Sequence, residues 1–217
     1  MGREFVEIFD EWADSYDESV GGHDPEYADV FKHYDGILES VAMRAESPVV
    51  EFGTGTGNLL KKLLERNLEA VGVEPNDAMR KAASAKFPEA RIVDGDFLSY
   101  EPGVDPRTFV STYAFHHLTD EEKARAVKRY AEELPAGGKV VFADTVFATE
   151  QAKRERIRYE EDRGFTNVAE DLKREYYTTV PVMRELFEQA GFTVVFTQLN
   201  DFVWLIDASK QEGGDAR

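Results

Sequence analysis

The sequence predicts an α/β fold built on a mostly parallel, seven-stranded sheet that ends in an antiparallel hairpin. Short apolar runs alternate with longer stretches of helical spacing, which is typical of parallel strands connected by helices. A glycine-rich turn, residues 53–57, follows the first of these runs. The last two runs, 192–198 and 202–207, are separated only by residues 199–201. That connection is too short for a parallel crossover, so these two strands must pair antiparallel.

Five strands are predicted before the hairpin from the same alternation of periods. They cover residues 48–52, 69–73, 90–93, 107–112 and 138–144. Behind the glycine turn, Leu59, Leu60, Leu63 and Leu64 recur at helical spacing, so the turn joins a strand to a helix. Because ligands of such sheets bind outside the carboxyl ends of the strands, we expect the functional site at that edge.

The chain of 217 residues suits a single domain, predicted to span residues 1–210 without a long linker. Residues 1–45 predict an N-terminal helical cap of two helices, because apolar side chains recur at helical spacing from Phe5 to Tyr16 and again from Tyr27 to Val41. Residues 149–179 are rich in both charge signs and in aromatic side chains. This insert is either a solvated helical addition or a lid over the site. The tail, residues 211–217, is predicted to be disordered.

Composition excludes several functions. The formal net charge is −17 and the sequence pI is about 4.7, so a polyanion is repelled and a nucleic acid partner is not expected. The chain has no cysteine, which excludes disulfides and thiolate ligands, and no metal site is predicted. The first residues are polar and acidic, unlike a secretory signal, and no apolar run approaches a membrane span. A cytoplasmic location is the simplest expectation, and the oligomeric state is left open.

The glycine turn predicts a nucleotide-like ligand. Gly53, Gly55 and Gly57 lack a Cβ atom, so a ligand can approach the backbone, and the amides of the following helix start can bind a polar group. A dinucleotide fingerprint would place its last glycine at position 58, where Asn58 stands. A nicotinamide-dependent oxidoreductase is therefore disfavoured, as it is by the closing hairpin.

Acidic residues mark three of the predicted strand ends. Glu51 lies within the first strand, and Glu74 ends the second, where a carboxylate can accept hydrogen bonds from both hydroxyls of a ribose. Asp96 follows the third strand, with Phe97 beside it. Each acid alone could be a satisfied buried group, a helix cap or a turn residue. Together and in this order they suit an adenosine whose other end is not a pyrophosphate.

With these motifs the chain resembles class I S-adenosylmethionine-dependent methyltransferases, which have a Rossmann-like fold, and more closely the small bacterial enzymes of the YrrT type. The resemblance covers nearly the whole chain. It implies that Glu51 and the three glycines hold the methionine part of the cofactor. It further implies that Glu74 binds the ribose, that Asp96 faces the adenine amine and that Phe97 lies near the ring. The opening pattern FDEWADSYD resembles segments that cover the cofactor, which makes Tyr16 a further candidate.

The segment 111–118 follows the fourth strand, whose end faces the transferable methyl group in this family. Enzymes that methylate exocyclic amines of bases usually have Asn or Asp, two prolines and an aromatic residue here. This segment does not show that pattern, since it contains no Asn, Asp or proline. His116 and His117 are the candidate catalytic bases, since a histidine titrates near neutral pH. The alternative is that they cap or pack at the following helix start.

The sequence thus predicts a methyltransferase that moves a methyl group from S-adenosylmethionine to a small-molecule acceptor and releases S-adenosylhomocysteine. A protein that binds the cofactor as a sensor, without transferring its methyl group, would retain the same acids. Sequence alone does not separate these two functions.

Overall fold

A computed structural model describes residues 24–211. Its seven strands form one sheet in the order β3-β2-β1-β4-β5-β7-β6. The strands are β1 Val49–Phe52, β2 Ala70–Val73, β3 Arg91–Val93, β4 Thr108–Thr112, β5 Lys139–Thr145, β6 Phe192–Gln198 and β7 Val203–Lys210. The helices are α1 Tyr34–Ala42, α2 Asn58–Glu65, α3 Asp77–Lys86, α4 Asp120–Glu133, α5 Glu150–Asp162, α6 Thr166–Arg174 and α7 Val180–Gln189, with a 3-10 helix at Phe115–His117.

The sheet confirms the predicted topology. β1 pairs in parallel with β2 on one side and with β4 on the other, so the order of the strands reverses at β1. β7 lies between β5 and β6 and is antiparallel to both, as the short connection required. β7 extends to Lys210, beyond the predicted end at 207, because Ala208 and Ser209 still pair with Val140 and Lys139 of β5. The apolar pattern predicts the buried part of a strand. The end of the strand depends instead on how far the neighbouring strand continues to pair with it.

The core occupies both faces of the sheet, because successive strand residues point to opposite sides. Val50 and Phe52 pack in one hydrophobic cluster, with side chains of α4 and α7. Val49 packs in the other, with side chains of α1, α2 and α6. The fold therefore has helices on both faces of a central sheet, and this leaves the carboxyl ends of the parallel strands as the accessible edge.

The N-terminal region differs from its prediction where it is described. The apolar stripe from Tyr27 to Val41 predicted one helix, but α1 begins only at Tyr34. Residues 25–30 form turns, and His33 has a φ of 65°, in the left-handed region, directly before the helix. The first predicted helix, Tyr16 and most of the predicted tail lie outside the described residues. Within residues 24–211, no helix is both long and apolar enough to cross a bilayer.

The predicted insert contains α5 and α6, and it contacts the described N-terminal segment, residues 24–33. Asn167 donates its backbone N–H to Glu26 over 2.8 Å, and the Tyr27 hydroxyl donates to Asp171 over 2.5 Å. Arg163 forms an ion pair with Asp29 at 2.7 Å. The two segments that sequence analysis placed outside the sheet therefore lie against each other.

Candidate active site

The carboxyl ends of the central parallel strands bring the predicted site residues to one edge of the sheet. The glycine turn follows β1, and Glu74 follows β2. Asp96 lies just beyond β3, and the histidine pair just beyond β4. Since the strand order reverses at β1, a crevice between the connections on either side is expected there.

All three glycines of the turn have positive φ angles: 65° at Gly53, 55° at Gly55 and 92° at Gly57. Side chains other than hydrogen are strained there. At Gly53 an added Cβ would also lie 2.7 Å from Ala114 Cβ, and at Gly57 it would lie 2.7 Å from the Phe87 ring. At Gly55 the nearest atom would be the Gly53 carbonyl oxygen, 4.0 Å away. Close packing thus requires two of the glycines, whereas the space at Gly55 is open and can admit a ligand.

Glu51 is buried in β1, with 1% of its surface exposed. Its Oε2 atom receives no hydrogen bond from any described residue. Burial raises the pKa of this carboxyl to about 8, and the nearby Glu74 charge acts in the same direction, against hydrogen bonds from Thr54 and the Leu60 backbone. Buried polar atoms in proteins nearly always form hydrogen bonds, so a buried carboxyl oxygen without one indicates that a bound ligand supplies the donor. A ligand ammonium group fits this requirement.

Glu74 fixes the glycine turn. Its Oε2 accepts the Gly55 backbone N–H at 2.8 Å, and its Oε1 accepts the Asn76 backbone N–H at 2.8 Å. Burial raises its pKa, although both backbone hydrogen bonds lower it. Each carboxylate oxygen has a second lone pair, so Glu74 can still accept hydrogen bonds from a ligand.

Asp96 and Phe97 have structural roles at the end of β3. Asp96 Oδ1 accepts the backbone N–H groups of Leu98 and Ser99, both at 2.9 Å, which makes it a turn residue. The Phe97 ring lies 5.2 Å from the rings of both Phe52 and Phe115. Phe97 is therefore a core side chain, and its expected place beside an adenine ring is not supported by this packing.

His116 is held by two carboxylates. Its Nδ1 lies 2.5 Å from Asp144 Oδ1, and its Nε2 lies 3.2 Å from Glu175 Oε2. Burial lowers the pKa of this imidazole, but the charges and hydrogen bonds of Asp144 and Glu175 outweigh it and raise the pKa to about 10. His116 is thus an imidazolium at neutral pH and has no lone pair to accept a proton. This geometry does not support the prediction that it acts as the base.

His117 differs from its neighbour although the two ring centroids are 4.2 Å apart. Burial and the adjacent His116 lower its pKa to about 3, so His117 is neutral at physiological pH. A neutral imidazole has a lone pair, but one with this pKa binds a proton weakly. Of the two predicted bases, only His117 is in the right protonation state.

Sequence reasoning missed Asp144, Glu175 and Tyr177. Tyr177 stacks on the His116 ring at 4.7 Å and donates its hydroxyl to Glu175 over 2.6 Å. Asp144 could have been found, because it lies near the carboxyl end of β5, the strand that neighbours β4. Glu175 and Tyr177 come from the loop between α6 and α7, and no sequence pattern connects them to His116.

An aromatic wall covers the end of β4. Tyr113 has a φ of 54°, and its ring lies 5.3 Å from Phe31 and 5.6 Å from Tyr34. Asn58, at the start of α2, donates to the Tyr34 hydroxyl at 3.3 Å. The wall thus joins the described N-terminal segment to both the glycine turn and the β4 end.

Known proteins are similar in sequence to this chain along nearly its whole length. The profile of a methyltransferase domain family matches residues 49–138. An uncharacterized methyltransferase of Geobacillus sp. (strain WCH70) is 54% identical over 213 residues, which cover 97% of this chain and 100% of that protein. The chain belongs to this methyltransferase family. A second uncharacterized methyltransferase, from Exiguobacterium sibiricum, is 51% identical over 210 residues, with 97% of this chain and 99% of that protein covered.

Solved structures confirm the class I methyltransferase fold. The magnesium protoporphyrin IX methyltransferase of Synechocystis PCC 6803, with bound S-adenosylmethionine, superposes with a TM-score of 0.65 at 14% identity. That match covers 95% of this chain and 97% of the other. A methyltransferase of Thermotoga maritima, described as a possible histamine N-methyltransferase, gives a TM-score of 0.66 at 15% identity over 96% of this chain and 100% of its own. The predicted methyltransferase family and fold are confirmed for this chain.

Proposed function

We propose that this methyltransferase binds S-adenosylmethionine over the glycine turn and transfers its methyl group to a small molecule at the end of β4. The observation that carries the proposal is Glu51. A buried carboxyl oxygen that receives no hydrogen bond from the described residues suits the ammonium group of an aminoacyl ligand. Nicotinamide dinucleotides have no such group, so Glu51 favours S-adenosylmethionine over the alternative cofactor.

The remaining cofactor contacts follow from the strand ends. The open space at Gly55 admits the ligand backbone, and the second lone pairs of Glu74 accept the ribose hydroxyls. Asp96, beyond β3, is the residue we assign to the adenine end. Tyr16 lies outside the described residues, and its place over the cofactor stays a prediction.

S-adenosylmethionine supplies an activated methyl group on a sulfonium, so the protein mainly has to align the acceptor for in-line displacement. Tyr113, Phe31 and Tyr34 provide an apolar wall against which an acceptor can be held. That His117 accepts the acceptor's proton stays a prediction, and its lowered pKa makes it a weak base for that step. A nucleic acid acceptor is not expected, given the net charge of −17. The cytoplasmic location stays a prediction.

Replacing Glu74 with glutamine is expected to weaken the binding of both S-adenosylmethionine and S-adenosylhomocysteine. A hydrogen bond to a charged group contributes roughly 1.5–3 kcal/mol, so the loss should be about ten- to a hundredfold. Glutamine keeps the volume and one acceptor oxygen, so only one of the Gly55 and Asn76 backbone N–H groups loses its acceptor, whereas alanine would release both. Calorimetry measures the affinity, and Glu89→Gln, an exposed site after α3, is the matched control.

Two results would contradict the proposal. Wild-type protein that binds NAD and neither adenosyl compound would overturn the cofactor assignment. Cofactor binding without any labelled product, after incubation with radiolabelled methyl donor and a metabolite extract, would favour a sensor. One labelled product would identify both the activity and the acceptor.

We further propose that the N-terminal segment and the insert close together over the acceptor. Tyr27 and Asp171 form one of the hydrogen bonds that join them, and closure would exclude water from the sulfonium. Limited proteolysis should cleave residues 149–179 more slowly with saturating cofactor. Tyr27→Phe should reduce that protection, whereas Tyr159→Phe, at an exposed site of the same insert, should not. Equal cleavage with and without cofactor would refute closure.

A further inference from the structure

We propose that His116, His117 and Glu175 bind a divalent first-row transition-metal ion, such as zinc, next to the acceptor site. Each side chain offers one donor atom, and these three atoms lie within 4.8 Å of one another. Two imidazoles and one carboxylate are a donor set that such ions accept. The sequence predicted no metal site, because Glu175 lies far along the chain from the histidines.

The spacing is close to what an ion requires. Zinc binds imidazole nitrogen and carboxylate oxygen at about 2.0–2.2 Å, so two ligand atoms of a tetrahedral site lie about 3.3 Å apart. His116 Nε2 and Glu175 Oε2 are already 3.2 Å apart. The His117 donor atom has to approach by at most about 1.5 Å to reach this spacing. The ion would replace the proton on His116 Nε2.

The groups around the three ligands also match a metal site. Histidine ligands usually donate their other ring N–H to a carboxylate, which orients the ring. Asp144 Oδ1 lies 2.5 Å from His116 Nδ1, and it also accepts the Thr145 backbone N–H at 2.7 Å. On the carboxylate side, Tyr177 donates its hydroxyl to Glu175 at 2.6 Å. Asp144 thus orients His116, and Tyr177 orients Glu175. The negative charges of Asp144 and Glu175, on either side of the His116 ring, favour a cation at this place.

This donor set leaves at least one coordination position open. Resting on the proposed function, we infer that the open position takes a hydroxyl or thiol of the acceptor. Coordination would lower the acceptor's pKa, so that its proton passes to water. The heteroatom's lone pair then forms the bond to the methyl carbon, while the carbon–sulfur bond breaks and its electron pair stays on the thioether. Such an acceptor would not need a strong histidine base.

The test is zinc titration of chelator-treated full-length protein by calorimetry, with Co²⁺ absorption as a second readout. Wild-type protein should bind one equivalent of zinc, and so should His33→Asn, a control at an exposed histidine. Glu175→Gln and His117→Asn should bind at least about 10- to 100-fold more weakly. Circular dichroism and S-adenosylhomocysteine binding on the same samples report whether each variant is folded.

The possible outcomes separate this inference from the proposed function. No zinc binding by the wild-type protein would overturn the metal site. Equal zinc affinity in all four proteins would assign the binding to surface acids and overturn it as well. If S-adenosylhomocysteine binds and zinc does not, the cofactor assignment stands without the metal. If zinc binds through Glu175 and His117 while neither adenosyl compound binds, only the proposed function fails.

Discussion

Glu51→Gln is expected to weaken S-adenosylmethionine binding by roughly a hundred- to several-thousandfold. The substitution leaves a ligand ammonium group buried against a neutral amide, and the loss of one partner from a buried ion pair costs about 3–5 kcal/mol. Glutamine preserves the shape of the side chain in β1, so the loss of affinity measures the contribution of the negative charge of Glu51. Calorimetry measures it, and Glu89→Gln, at an exposed site, again serves as the control. Affinity within about threefold of wild type would remove Glu51 from the cofactor site.

The same substitution should stabilise the ligand-free protein at alkaline pH. The pKa of Glu51 is about 8 in the folded protein and 4.5 in the unfolded chain, so the folded state binds more protons between these values. The free energy of unfolding of the wild-type protein is therefore reduced as pH rises from 4.5, and the reduction is complete above pH 8.

Glu51→Gln lacks this titration and should exceed wild type by up to about 5 kcal/mol near pH 9, at about 1.4 kcal/mol for each pH unit between 4.5 and 8. Near pH 5 the difference should be small. Urea unfolding at both pH values measures the free energies. A stability difference that does not change between them would show that Glu51 titrates normally.

Asp144→Asn is expected to lower the free energy of unfolding by about 3–5 kcal/mol, because it breaks a buried ion pair. Asp144 contacts the His116 ring at 2.5 Å and accepts the His116 and Thr145 backbone N–H groups at 3.1 and 2.7 Å. Asparagine keeps one acceptor oxygen and presents an amide NH₂ group to the remaining donors. Urea unfolding in the presence of a chelator measures the effect without any bound metal.

Asp94→Asn is the matched control for this variant. Asp94 also pairs with a cation, Arg80, at 3.3 Å, but 57% of its side chain is exposed. Exposed pairs contribute about 0–1 kcal/mol, so this variant should be nearly as stable as wild type. If Asp144→Asn costs no more than Asp94→Asn, the buried network does not stabilise the fold. In that case His116 would again be available as a base.

The glycine turn shows how much of the site the sequence could predict. Its spacing, its place between a strand and a helix, and the acids at 51, 74 and 96 lie within short stretches of chain. Parallel strands place their carboxyl ends at one edge, so the order of these motifs was enough to predict where they meet. The pattern could not distinguish the open glycine, Gly55, from Gly53 and Gly57, which packing requires. That distinction depends on Ala114 and Phe87, residues from other elements.

The protonation states of the two histidines could not be predicted from the sequence. Sequence reasoning could place His116 and His117 after β4, but their pKa values depend on groups that surround them in space. Asp144 and Glu175 make His116 a cation, whereas burial keeps the adjacent His117 neutral. Likewise, Phe97 follows Asp96 in sequence as a cofactor residue would, yet its ring packs with Phe52 and Phe115.

The sequence by itself determined the α/β class and the closing hairpin, because periodicity and motif spacing are local properties of the chain. Its motifs also carried the resemblance that predicted the family. Only the tertiary structure decided which acids are satisfied, which histidine is charged and which side chains surround His116. Burial and electrostatic interactions in a protein depend on distances between residues that are remote in sequence. For that reason the cluster of Asp144, His116, His117 and Glu175 became visible only in the folded chain.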